Sequence, residues 1–178
     1  EELLYFRIAG FAAKQDLNYQ TVVATTAKLN AINAYQVDNL GRFFDYLDVP
    51  FRREGPTMQL SGPIQPRARD IEVPGDPSSA AFFVVAALLV PGSRATVRRV
   101  ALNPTRLGFV RVLQRMGARL TVRVTGNAAG EEVGELTAVG SPLTATEVGA
   151  QEIPSLVDEV PILAVAASQA EGTTRFRG

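Results

Sequence analysis

The stretch "IEVPGDPSSAAFFVVAALLVPG", Ile71 to Gly92, decides how this chain is read. It opens like a strand, tightens through Gly75, Asp76, Pro77 and Ser78, and then runs apolar for more than three helical turns. Asp76 has the side chain of an N-cap. Pro77 fits the first helical position, where its missing N–H would have no partner anyway, and Ser78 and Ser79 can serve first-turn donors. Gly92 is the expected stop. Free N–H groups at such a helix start can also hold an anion. The lysine of a phosphate loop is absent, however, and Asp76 would repel a phosphate, so the turn reads as a cap.

The pattern around this stretch recurs. "LLYFRIAGFAA" (3–13), "AAFFVVAALLVPG" (80–92) and "PILAVAASQAEG" (161–172) are three apolar helical segments, and the strand-like "QTVVATTAKL", "SRATVRRV" and "TTRFRG" follow them in turn. Amphipathic helices come next: Leu40, Phe43, Phe44 and Leu47 lie at i, i+3, i+4 and i+7, as do Phe109, Val112, Leu113 and Met116. "VPFRRE" with "TMQLSG", and "ARLTVRV" with "GELTAVG", are predicted strand pairs joined by glycine-containing turns. The repeating unit is helix, strand, helix, strand, strand, with a further strand such as Asp70 to Val73 expected before it. One nearly whole unit (1–62), a complete one (70–148) and the start of a third (149–178) are expected, with "SGPIQPRARD" (61–70) as linker. The fold class is therefore α/β (α+β), built of repeated βαβαββ units.

Composition narrows the chemistry. The chain has 178 residues, 46% of them hydrophobic, which is enough for a real core. Lys plus Arg and Asp plus Glu both number 18, so no net field draws nucleic acid or an anionic membrane. With no cysteine and no histidine, thiol and imidazole catalysis and the commonest zinc ligands are excluded. No metal or other cofactor is expected. The run Ala80 to Val90 is short of the roughly 20 residues a membrane span needs, residues 1–15 lack a signal-peptide pattern, and the expected location is cytoplasmic. The chain opens without Met and stops within a strand-like segment, as a fragment would.

Two blocks carry a resemblance. "EVPGDPSSAAFFVVAALLVPGSRATVRRVALNPTRLGFVRVLQRMGARLTV" and "IPSLVDEVPILAVAASQAEGTT" are similar, in the right order, to the central part of 5-enolpyruvylshikimate-3-phosphate synthases. Upstream, "VDNLGRFFDYLDVPFRREG" resembles the family's Arg-Asp-His-Thr-Glu helix, of which Asp38 and the apolar spacing survive, while residues 1–30 match weakly. The resemblance implies an enzyme of aromatic amino-acid biosynthesis that moves the enolpyruvyl group of phosphoenolpyruvate onto the 5-hydroxyl of shikimate 3-phosphate. It also implies two domains of three βαβαββ units each, packed about a pseudo-threefold axis and incomplete here. Residues 1–62 would be the last unit of one domain and residues 63–178 the first one and a half units of the other.

By the same resemblance Asp158 is the catalytic and substrate-binding residue, a carboxylate at a helix start that contacts substrate hydroxyls and moves the proton off the attacking oxygen. Such a carboxylate stays ionised and can accept that proton. Glu159 is expected to be solvated, and Arg67, Arg69, Arg98, Arg99 and Arg106 are read as surface. Tyr35 takes no role. Asn103 and Pro104 are expected to turn the chain into a helix over 107–117.

The family's Lys-Ser phosphate motif, its Gly-Asn-Ala-Gly-Thr-type loop and its Arg-Val-Lys-Glu-Ser-Asp-Arg segment do not occur in the sequence. The chain alone is thus expected to be inactive. The alternatives are a non-catalytic scaffold made of the same units or, within the fold, a transferase acting on a UDP-amino sugar, which commonly uses a cysteine this chain lacks. Missing units would bare the apolar faces of the helices at 80–91 and 161–170, so self-association is expected.

Overall fold

A computed structural model describes residues 22–24, 31–54, 57–61, 66 and 68–177. The expected helix at 3–13 lies outside them. The chain divides into two compact units, Glu1–Ile71 and Glu72–Gly178.

In the first unit, helix α1 (Ala31–Tyr46) accompanies an antiparallel sheet of β1 (Val22–Ala24), β2 (Phe51–Glu54) and β3 (Thr57–Leu60) in the order β1-β3-β2. The expected apolar stripe of α1 is half-buried at Leu40, Phe43 and Phe44, and Leu47 falls just past the helix. The Phe44 and Phe51 rings meet at 5.9 Å, and Met58 and Val49 are buried. Arg69 ion-pairs with Asp48 at 2.5 Å and lies over the Tyr46 ring, whose hydroxyl donates to the Asp70 carbonyl at 2.6 Å.

The second unit is built on helix α2 (Pro77–Leu89), strand β4 (Arg94–Ala101), helix α3 (Gly108–Arg115) and strands β5 (Arg119–Ala128) and β6 (Glu131–Val139). This is the order the sequence predicts for the complete repeat. β6 runs antiparallel between the other two strands, giving β4-β6-β5. Between β5 and β6 stands a two-residue loop, Ala129 and Gly130, both with positive φ (50 and 85°) as the twist of a tight hairpin demands.

One face of the sheet takes the helices. Leu136, Ala138, Leu120 and Val100 pack against Val84, Val85 and Leu88 of α2 and Phe109, Val112 and Leu113 of α3, with Met116 just beyond. Burying a side chain such as Phe109 or Leu136 contributes about 1.5–3 kcal/mol each. The opposite face carries Thr96, Thr137 and Thr121 in one row and Arg98, Glu135 and Arg123 below it.

The strand expected at 70–73 does not form. Ile71 and Val73 are exposed, Pro74 has no N–H to give a ladder, and pairing is confined to an isolated parallel bridge from Gly75 to Val100. That bridge depends on a bulge in β4 between Val97 and Val100, where Arg99 takes φ 58° and its carbonyl accepts the Gly75 N–H at 2.6 Å.

Helix α2 ends earlier than Gly92 suggests. Val90 is already extended, and the last carbonyls are met from outside the helix, Ala87 by the Ser93 hydroxyl at 2.5 Å and Leu88 by the Ser141 N–H at 3.1 Å. Gly92, with φ 75°, makes the turn that follows. After β6 come β7 (Glu147–Val148), helix α4 (Val160–Ser168) and β8 (Arg175–Phe176). The two short strands pair in parallel across the helix, and Leu163 and Ala166 of α4 join the core.

Candidate functional site

Asp76 caps α2 as its sequence implies. Its carboxylate accepts the Ser79 backbone N–H at 2.8 Å and the Ser79 hydroxyl at 2.9 Å. Partial burial opposes its charge, but the two Ser79 donors and the Arg106 guanidinium outweigh it and hold the carboxyl below the usual range. Ser78 faces elsewhere. Its oxygen accepts from Arg106 at 3.1 Å, and the same nitrogen donates to Asp76 at 2.7 Å. Arg106 is therefore a partly enclosed clamp on the start of α2 and not the free surface residue expected.

Arg106 reaches this position through a local fold. Asn103, buried in the core, caps a 3-10 turn (Pro104–Arg106) by accepting the Thr105 N–H at 2.9 Å, and its amide donates to Glu131 at 3.2 Å. Arg98 and Arg99 are held by Glu135 and Glu72, respectively. Asp38, the survivor of the family's upstream helix, is bound by Arg42 at 2.8 Å and Arg53 at 3.1 Å. Arg67 lies outside the described residues, and Tyr35 falls within α1.

Asp158 sits in a 3-10 turn (Val157–Glu159) that leads straight into α4. The preceding 3-10 turn (Ile153–Ser155) fixes the approach. Gly108 opens α3 directly against Ser155, and a Cβ there would collide with the Ser155 hydroxyl and carbonyl. Arg111 donates to the Ser155 hydroxyl at 3.2 Å, and Arg115 grips Glu152 through two nitrogens at 2.9 and 3.2 Å. That grip, against slight burial and helped by the Gly149 N–H, keeps the Glu152 carboxyl below the ordinary value.

The two acids of the Val157–Glu159 turn point opposite ways. Leu156, Glu159, Leu163 and Ala166 are buried, whereas Asp158, Pro161, Val165 and Ser168 are exposed. Glu159 is 4% exposed, which overturns the expectation that it is solvated. Burial pushes its carboxyl up, the neighbouring Asp158 adds to the rise, and the Ser78 hydroxyl and Arg106 only partly oppose it. The i, i+3, i+7, i+10 spacing of residues 156, 159, 163 and 166 is the signal by which the sequence could have revealed this. Asp158 thus presents an outward carboxylate beside the buried Glu159, with the part-buried Ser78 and Arg106 and the exposed Asp76 beyond it.

The family model for EPSP synthase (3-phosphoshikimate 1-carboxyvinyltransferase) matches residues 17–178. The chain belongs to the EPSP synthase family. The 3-phosphoshikimate 1-carboxyvinyltransferase of Bacillus cereus (strain B4264) is 44% identical to it over 137 residues, covering 77% of this chain and 32% of that protein. The protein of the same name from Bacillus anthracis (strain A0248) is 43% identical over the same length. An EPSP synthase from Acinetobacter baumannii superimposes with a TM-score of 0.78 at 32% identity, over 88% of this chain and 34% of that one. The mixed helix-and-strand fold expected from the resemblance is thus that of EPSP synthases. The chain spans about a third of the length of the relatives it matches.

Proposed function

We propose that this chain forms part of the cleft of a cytoplasmic enzyme that transfers the enolpyruvyl group of phosphoenolpyruvate to the 5-hydroxyl of shikimate 3-phosphate. Asp158 accepts the hydroxyl proton as that oxygen bonds to the enolpyruvyl carbon. The observation that carries this reading is the outward Asp158 carboxylate at the entry to α4, in a chain of this family. Residues 1–62 and 63–178 belong to two different domains of the enzyme, and the chain alone does not turn over. Among the described residues no helix is long and apolar enough to cross a membrane.

Calorimetric titration of shikimate 3-phosphate into the chain and into an Asp158→Ala variant tests the assignment. Saturable binding weakened by the substitution supports it, and equal binding by both proteins rejects it. A steady-state assay with both substrates tests the inactivity, which turnover matching a full-length enzyme would refute.

A second reading is a scaffold that binds neither substrate. It is favoured by the arginines around β4 and the turn after it, because Arg98, Arg99 and Arg106 are each paired with a carboxylate of this chain. The absence of heat from either protein would favour it. Under both readings the chain self-associates through α2 and α4. Neither helix contains a charged residue, and Phe82, Phe83 and Val165 are 53%, 66% and 48% exposed.

A further inference from the structure

A carboxyl group buried beside an exposed one, on the same short turn, calls for a reason. Removing Glu159 from water costs free energy that an apolar residue at the same point of the stripe would not cost. Its surroundings are specific. The 3-10 turn Val157–Glu159 packs on α2, and the Ser78 hydroxyl in the first turn of that helix is the side-chain group that most opposes the rise in the Glu159 carboxyl. The Ser78 oxygen already accepts from Arg106, so its hydroxyl proton is available for the carboxyl group. Arg106 is itself fixed by Asp76, the N-cap of α2. The turn's backbone is slight by comparison, with the Glu159 N–H donating to the Leu156 carbonyl at 2.9 Å, and neither the turn nor α4 has a side-chain cap.

We propose that Glu159 is a positioning residue: its buried carboxyl group, set against the Ser78 hydroxyl, pins the Val157–Glu159 turn to the start of α2 and so fixes the outward direction of Asp158. This rests on the reading of Asp158 as the proton acceptor. The chain of contacts runs from Asp76 through Arg106 and Ser78 to Glu159, and the neighbouring residue carries the reacting carboxylate. A glutamine at position 159 has the same shape and can keep a polar group toward Ser78, whereas alanine cannot. The groups that act on the Glu159 carboxyl are Ser78 in the first turn of α2, Arg106 of the turn after β4, and the adjoining Asp158, with Asp76 linked to them through Arg106.

The test uses the purified chain and its Glu159→Gln, Glu159→Ala and Ser78→Ala variants, followed by backbone amide and Asp carboxyl NMR and by titration with shikimate 3-phosphate. Signals of residues 156–160, including the Asp158 carboxyl, should stay in place in Glu159→Gln and shift or broaden in Glu159→Ala and Ser78→Ala, with the Leu136 and Phe109 signals unmoved. Affinity should follow the same order, kept in the glutamine variant and lowered about tenfold or more in the two alanine variants. Unchanged 156–160 signals in Ser78→Ala would overturn the proposal. So would equal disturbance in the glutamine and alanine variants of Glu159. If the parent chain binds no shikimate 3-phosphate, the reading of Asp158 fails while the NMR comparison still decides whether Glu159 holds the turn.

Discussion

Arg106 reaches back 30 residues to Asp76, setting its Nη2 2.7 Å from the Oδ1 of the residue that caps α2. The helix start is therefore secured twice, by its own cap and by a cation from the turn after β4.

Replacement of Asp76 separates the two. Asp76→Ala should cost about 0.5–2 kcal/mol for the lost cap, while Asp76→Asn keeps the bond to the Ser79 N–H and should lose less. Urea midpoints of the two variants, measured beside the parent, check the order. Equal loss in both would mean that the ion pair to Arg106, and not the cap, holds the helix.

Acid and base should act through different carboxyls. Asp76 and Glu152 titrate below their ordinary values in the fold, so the stability they contribute is present above the unfolded pKa and is lost as pH falls through the folded one. Glu159 is raised, so its contribution is complete below the unfolded value and declines as pH climbs to the folded one, after which it is constant. Thermal midpoints across the acid-to-neutral range should show this upper decline in the parent and not in Glu159→Gln. Since Arg106 and Asp158 both act on the Glu159 carboxyl, their own substitutions should displace it.

Gly108→Ala should destabilise the second unit by about 1–3 kcal/mol, because the added methyl meets the Ser155 carbonyl, which cannot swing aside as a side-chain tip could. The Ile153–Ser155 turn must then retreat from α3, carrying the Arg111 contact with it. Thermal unfolding measures the loss, and a melting profile unchanged from the parent would contradict it.

Phe83→Glu should shift the sedimentation profile of the chain toward monomer, since it puts a charge on an apolar helix face that has none. An Ala86→Glu change, one turn on and likewise exposed, should do the same. A monomeric parent would remove the basis of the expectation.

Much of the second unit was legible because its signals are local and periodic. Asp76 and Pro77 announce α2, and Phe109, Val112, Leu113 and Met116 announce α3 by spacing alone. What the sequence concealed are relationships set by packing. Ile71 to Val73 has strand-like residues, but Pro74 breaks the ladder and the bulge at Arg99 leaves one bridge. Glu159 looked like a solvated first-turn acid because an acid beside another acid usually is one. Its membership of the buried stripe with Leu156 and Leu163 outweighs that habit. The pairing of Arg106 with Asp76 and Ser78 depends on how α2 and the turn after β4 meet, which no local pattern encodes.

The two-residue loop at Ala129 and Gly130 bears on the order in which the unit assembles. β5 and β6 are neighbours along the chain and can zip from that loop on the microsecond scale expected of hairpins, about 1–10 μs. Arg94, by contrast, must find Val139 across the whole of α3 and β5. Amides of residues 119–139 should thus be the first protected in pulse-labelled exchange, with β4 following. The ribbon β5–β6 is a template on which β4 lands last, so a slip in its register would reach every residue of the sheet that faces the helices.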